Sequence, residues 1–179
     1  MYFDIVIFNF INGLAGRWQW LDLTGIFFAK YFEYFLWFFL IVLLFKDFKK
    51  YWRMVAEAVI AALFVRFVLV KIFYALFFRL RPFVYPDNAN LLVYHNSGAT
   101  SFPSGHASFY FALSTIIYGY NKKWGMLFYI GSLLIVLSRI FVGMHWPSDV
   151  MAGAMLGVVI GLVLNKLFKK VVLTKKEYV

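Results

Sequence analysis

The sequence predicts an all-α integral membrane protein: a helical bundle of about five transmembrane helices, with an interfacial helix at its N-terminus. Three observations carry this expectation. Of 179 residues, 64% are hydrophobic and 23% aromatic, where a soluble domain is about half apolar. Mean hydropathy is +0.78. The polar residues are bunched into a few breaks, and the apolar runs between them approach the roughly 20 residues a bilayer core requires. The length suits one domain, divided into an interfacial helix (1–20), a transmembrane bundle (21–168) and a basic cytoplasmic tail (169–179). Cysteine is absent, which excludes disulfides and thiolate–metal chemistry.

Residues 1–20 mix short apolar runs with Asn9, Asn12, Gly13, Gly16, Arg17 and Gln19. They are too polar to span, and Trp18 and Trp20 suit the membrane interface. Met1-Tyr2-Phe3-Asp4 lacks a basic n-region and a small-residue cleavage site, so no cleaved leader is expected. Spans are expected at 21–45, 54–78, 104–120, 124–142 and 149–168. The third is short, and Phe102 extends its apolar character. Gly153, Gly157 and Gly161 recur every fourth residue on the last span, a close-packing face expected to act within the bundle, so no oligomer is required.

The breaks differ in charge. Lys46 to Arg53, Asn121-Lys122-Lys123 and the C-terminal segment from Lys166 onward hold eleven of the 18 Lys and Arg residues. By alternation these three segments share one side, which the positive-inside rule makes the cytoplasm. The net charge of +10 is therefore a topology signal with some attraction to anionic lipid, and nucleic-acid binding drops out. Residues 79–103 and 143–148 fall on the other side with the N-terminal helix. The longer of these connections contains Arg79, Arg81, Pro82, Pro86, Asp87 and His95. A loop of that length in a small protein is often functional, although His95 itself reads as a surface residue.

Three chain segments thus bring Arg81, Ser104, Gly105, His106, Arg139, His145 and Asp149 to one face. Arg81 and Arg139 are permanent cations whose forked donors match phosphate oxygens. Ser101-Phe102-Pro103-Ser104-Gly105-His106-Ala107-Ser108 reads as a helix start, whose free amides suit an anion. Gly105 lets a phosphate approach the backbone. His145 and Asp149 are four apart beside Pro147, and a carboxylate near a histidine fixes its tautomer. Two histidines, one nucleophile and one acid, suffice to transfer a phosphoryl group through a covalent intermediate.

Arg81-Pro82, then Pro103-Ser104-Gly105-His106, then Ser138-Arg139 with five residues before His145 and three more before Asp149, resemble the motifs of the type 2 phosphatidic acid phosphatase superfamily. The resemblance runs from the end of the second span to the start of the fifth. It implies a lipid phosphatase that needs no metal or other cofactor and acts on a phosphorylated membrane lipid in the bilayer. It also implies that His145 attacks phosphorus and carries the phosphohistidine, Asp149 orients it, and His106 protonates the leaving group. Arg81, Ser104, Gly105 and Arg139 would hold the phosphate. Small size and an outward-facing site resemble the bacitracin-resistance type of undecaprenyl-pyrophosphate phosphatase, implying a bacterial plasma membrane protein whose site faces the outside or periplasm. Phosphatidylglycerol phosphate, phosphatidic acid and the 1-phosphate of lipid A are the alternative substrates.

In one place the sequence departs from the family. The first motif has a lysine seven residues before its Arg-Pro, and here Tyr74 stands there. Lys71, one turn deeper at about 4.5 Å, either replaces that lysine at the phosphate or pairs with Glu33. Arg79, two residues from Arg81, is expected to face elsewhere. An internal ion pair between Arg66 and Glu33, joined by Lys30, is the default for charges at mid-bilayer depth. A reading from another class, an anion-binding channel or transporter, rests on Glu33, Arg66 and Lys71.

Overall fold

The computed structural model describes residues 2–85, 89–93 and 100–177, the last seven as backbone only. Pro86, Asp87 and His95 lie outside the described residues. Among the described residues the regular structure is all helical, with no strand. Helix α1 covers Tyr2–Asn12, α2 Gln19–Lys46, α3 Phe48–Leu76, α4 Gly105–Tyr120, α5 Lys122–Phe141 and α6 Pro147–Glu177. Four of these (α2, α3, α5 and α6) are long and apolar enough to cross a membrane.

The boundaries follow local chemistry. α3 begins six residues before the expected span because Asp47 caps it, its Oδ1 accepting from the Lys50 amide at 3.1 Å. Asn121 does the same for α5, accepting from the Trp124 amide at 3.0 Å. Pro147 occupies the first position of α6, where its missing N–H costs nothing. The basic segment 169–179, expected as a tail, continues α6 as far as Glu177. The helix expected across 1–20 covers only Tyr2–Asn12.

α4 is the axis of the bundle. Its 16 residues span about 24 Å, less than a bilayer core, but it is surrounded by other helices and most of it is buried. The glycine face of α6 lies directly against it. A Cβ on Gly153 would meet the Ser104 carbonyl oxygen at 2.5 Å, and one on Gly157 the Ser108 carbonyl oxygen at 2.5 Å. The glycines therefore serve packing within the bundle, as expected.

Two long helices carry π-helical turns, Phe27–Tyr31 in α2 and Val65–Leu69 in α3. Each adds a residue to the local repeat and turns its neighbours to a new face. Arg66 lies inside one, and Glu33 two residues beyond the other.

α1 docks across the site end of the bundle, with Phe8 fully buried beside Val136, Ile140, Trp146 and Val150. Asn12 Nδ2 donates to the carbonyls of Phe141 at 2.7 Å and Asn90 at 2.9 Å. α5 ends at a turn through Gly143, whose φ of 85° favours glycine. That turn brings His145 back towards Arg139.

Candidate active site

The end of α3, the start of α4, the end of α5 and the turn into α6 enclose a cavity of about 220 Å³. Its polar wall consists of Arg66, Lys71, Tyr74, Arg81, His106, Arg139 and His145, with Gly105 contributing bare backbone. The chemistry-bearing motifs thus meet in one place.

His145, buried to 3% exposure, presents its two nitrogens to different partners. Nε2 lies 3.3 Å from Arg81 Nη1 on the cavity side. Nδ1 faces Asp149 Oδ2 at 3.6 Å, just beyond hydrogen-bond reach, and such contacts often tighten only when substrate binds. Burial lowers the His145 pKa to about 4; the Asp149 carboxylate opposes this, while Arg81 and Arg139 reinforce it. The ring is therefore neutral at physiological pH, with a lone pair to offer.

Asp149 is completely buried and held on every side. Oδ2 accepts from the Trp146 amide at 2.9 Å, the capping contact of α6. Oδ1 accepts from Arg79 Nη1 at 2.7 Å. Arg79 Nη2 in turn donates to Asp4 Oδ2 at 2.6 Å, and Asp4 also accepts from the Ser148 hydroxyl and amide. Burial alone would raise the Asp4 pKa, but the bonds from Ser148 and Arg79 outweigh it and hold the group below the ordinary aspartate value. Arg79 does face away from the cavity, as expected, and its side chain donates to these two carboxylates and to the Ser148 hydroxyl, the last at 2.6 Å.

His106 stands in the first turn of α4, its Nε2 2.8 Å from Arg139 Nη2. Ser104, expected at the phosphate, is fully buried and is not among the residues lining the cavity; its amide donates to the Asp149 carbonyl at 2.9 Å. Its hydroxyl is buried and makes no hydrogen bond among the described residues.

The expected ion pair between Arg66 and Glu33 does not form. No carboxylate among the described residues comes within ion-pair distance of Arg66. Its Nη1 lies 3.0 Å from where a Cβ on Gly105 would be, which places the guanidinium at the start of α4. Glu33 instead accepts from the Tyr110 hydroxyl at 2.9 Å and lies 3.9 Å from His106 Nε2. Lys71 likewise does not pair with Glu33; it lines the cavity. Lys30 takes no part and lies over the Tyr31 ring.

A second cavity of about 290 Å³ adjoins the first, sharing Arg66, Phe67 and His106 with it and adding Glu33 and Tyr110 among apolar side chains.

A helical membrane bundle that gathers arginines, two histidines and a buried aspartate around one small cavity belongs to the class of membrane phosphoryl-transfer enzymes. The family model of the PAP2 superfamily matches residues 55–172, and the chain belongs to that superfamily: it is a membrane lipid phosphatase. It is 37% identical over 159 residues to the bacitracin transport permease protein BcrC of Bacillus licheniformis, covering 89% of this chain and 77% of that one. It is 29% identical over 158 residues to the undecaprenyl-diphosphatase of Sulfolobus acidocaldarius, covering 87% and 73%. Among solved structures, Aquifex aeolicus LpxE superposes with a TM-score of 0.70 at 29% identity, covering 89% of this chain and 93% of the other.

Proposed function

We propose that the protein hydrolyses a phosphate monoester or diphosphate lipid at the extracytoplasmic membrane face, through a phosphohistidine on His145 and without a metal ion. Undecaprenyl pyrophosphate is the proposed substrate, because the Sulfolobus relative is named for that activity. The observation that carries the reading is the arrangement of His145. Its Nε2 opens on the cavity beside Arg81 at 3.3 Å, while its Nδ1 is turned to the buried carboxylate of Asp149 at 3.6 Å.

In the proposed reaction the Nε2 lone pair forms a bond to phosphorus. The bond to the leaving oxygen breaks with its electron pair on that oxygen, which takes a proton from His106. Water then attacks the phosphohistidine, giving its proton to His106, and the P–N bond breaks with its pair returning to Nε2. Arg66, Arg81 and Arg139 hold the phosphoryl oxygens, whose charge grows in the transition state. Sidedness is read from charge. Arg53, which reaches the Phe168 carbonyl at 3.2 Å, and Lys169, which reaches that of Gly119 at 3.4 Å, gather at the end opposite the cavity. The positive-inside rule supports a cavity that faces outside.

The test is phosphate release by purified protein in detergent with EDTA. The panel comprises undecaprenyl pyrophosphate, phosphatidylglycerol phosphate, phosphatidic acid and lipid A, compared by kcat/KM. His145→Ala is expected to abolish turnover, and wild-type protein to yield an acid-labile phosphoprotein. A variant retaining more than a few per cent of activity excludes His145 as nucleophile. The Bacillus relative's name suggests transport; no phosphate release from any lipid, with transport intact in His145→Ala, would establish that reading instead.

A further inference from the structure

The second cavity holds a group that the reaction as written leaves unused. Glu33 Oε2 accepts from Tyr110 at 2.9 Å and lies 3.9 Å from His106 Nε2. Among the described residues it is the one carboxylate within ion-pair distance of that ring. The π-helical turn just before it, Phe27–Tyr31, interrupts the helical repeat beside this position.

His106 has a difficulty as an acid. Arg139 Nη2 lies 2.8 Å from its Nε2, and a guanidinium can only donate, so Nε2 carries a lone pair in the resting site. To protonate a leaving oxygen, that nitrogen must first gain a proton, from solvent or from the substrate's own phosphate hydroxyl as it binds, in a cavity lined by Arg66, Arg81 and Arg139. Phosphate binding gives Arg139 a better acceptor and draws it away from Nε2. The imidazolium still needs a nearby negative charge that does not leave with the product.

We infer that Glu33 is the counter-ion of His106, a positioning residue that keeps its imidazolium charged and turned to the leaving oxygen. The inference rests on the phosphatase reading above. When the bond from phosphorus to the leaving oxygen breaks, that oxygen keeps the electron pair and takes the Nε2 proton. His106 returns to its neutral form, and Glu33 remains a carboxylate throughout. The attacking water later restores the proton to Nε2 as its oxygen bonds to phosphorus.

The leaving group separates this role from a structural one. A lipid alcohol, the leaving group of a phosphate monoester such as phosphatidic acid, cannot depart without a proton, whereas p-nitrophenolate, like the lipid phosphate expelled from a diphosphate, departs as a stable anion. Glu33→Gln keeps an acceptor for Tyr110 and removes only the charge. The expected result is a loss of about 10- to 100-fold in kcat on phosphatidic acid and less than about threefold on p-nitrophenyl phosphate, with Glu33→Asp recovering part of the loss. Equal losses on both substrates mean that Glu33 only balances the arginines, and overturn the inference; so does no loss on either. A wild-type protein that hydrolyses neither substrate, nor any lipid of the panel, overturns the phosphatase reading itself and this inference with it.

Discussion

Arg79 holds Asp149 from behind, its Nη1 donating to Oδ1 at 2.7 Å on the side away from His145. The carboxylate is wholly buried, and its oxygens are satisfied by that contact and by the Trp146 amide. Arg79 is itself fixed by Asp4, on a helix that precedes the segment matched by the family model. The N-terminal helix is thereby part of what sets the position of the proposed nucleophile.

Arg79→Lys keeps one positive charge but cannot bridge Asp149 and Asp4 in the same way. Losing one charge-assisted hydrogen bond costs about 1.5 kcal/mol, roughly tenfold in kcat, with KM little changed because Arg79 faces away from the cavity. Asp4→Asn, which keeps an acceptor for the Ser148 amide, should cost less. Measuring kcat and KM separately decides the matter, and an Arg79→Lys enzyme with wild-type kcat would refute the role.

The low pKa of His145 has a consequence for stability. Its native pKa is about 4, against 6.5 for the free group. Between these values the unfolded chain binds a proton that the native protein does not. Stability from this group is fully present above pH 6.5, falls as pH drops towards 4, and changes no further below it. Thermal unfolding in detergent should show this fall in wild type, and His145→Gln should flatten it. Parallel slopes in the two proteins would count against a buried neutral imidazole.

Much of the site was legible because motif residues cluster at helix ends, where alternation of spans determines which ends meet. Arg81, His106, Arg139, His145 and Asp149 converge for that reason. What was hidden lies within the spans. Assigning faces there relies on a 3.6-residue repeat, and the π-helical turn Val65–Leu69 breaks it around Arg66. Depth alone then made Glu33 the obvious partner of Arg66, but Glu33 turns to Tyr110 instead. Arg79 was correctly expected to face away from the phosphate, but nothing in the spacing pointed to Asp4, 75 residues earlier. Helix starts shifted where Asp47 and Asn121 supplied caps inside segments read as loops.

The glycine face of α6 gives a prediction about folding rather than chemistry. A Cβ on Gly157 would sit 2.5 Å from the Ser108 carbonyl oxygen and 2.8 Å from the Ala112 amide nitrogen, both rigid backbone atoms. Gly157→Ala must push α4 and α6 apart, at about 1–3 kcal/mol. A lower Tm in detergent is expected. An unchanged Tm would show that the two helices do not approach this closely.

Arg66 and Lys71 compete for the place of the missing motif lysine, and geometry favours Arg66. Its guanidinium is set against the start of α4 and lines both cavities, whereas Lys71 is exposed and lines only the first. A forked guanidinium with no carboxylate partner among the described residues, set at the amides of a helix start, is suited to complete a phosphate cradle. Loss of a charge-assisted contact of about 1.5–3 kcal/mol corresponds to roughly 10- to 100-fold in kcat/KM. Arg66→Ala should show a loss of that size and weaken inhibition by vanadate, a phosphate analogue expected to compete for the same cavity. Lys71→Met should lose clearly less on both measures. If Lys71→Met proves the more damaging, with both variants folded, Lys71 is the substitute and Arg66 serves the cavity in another way.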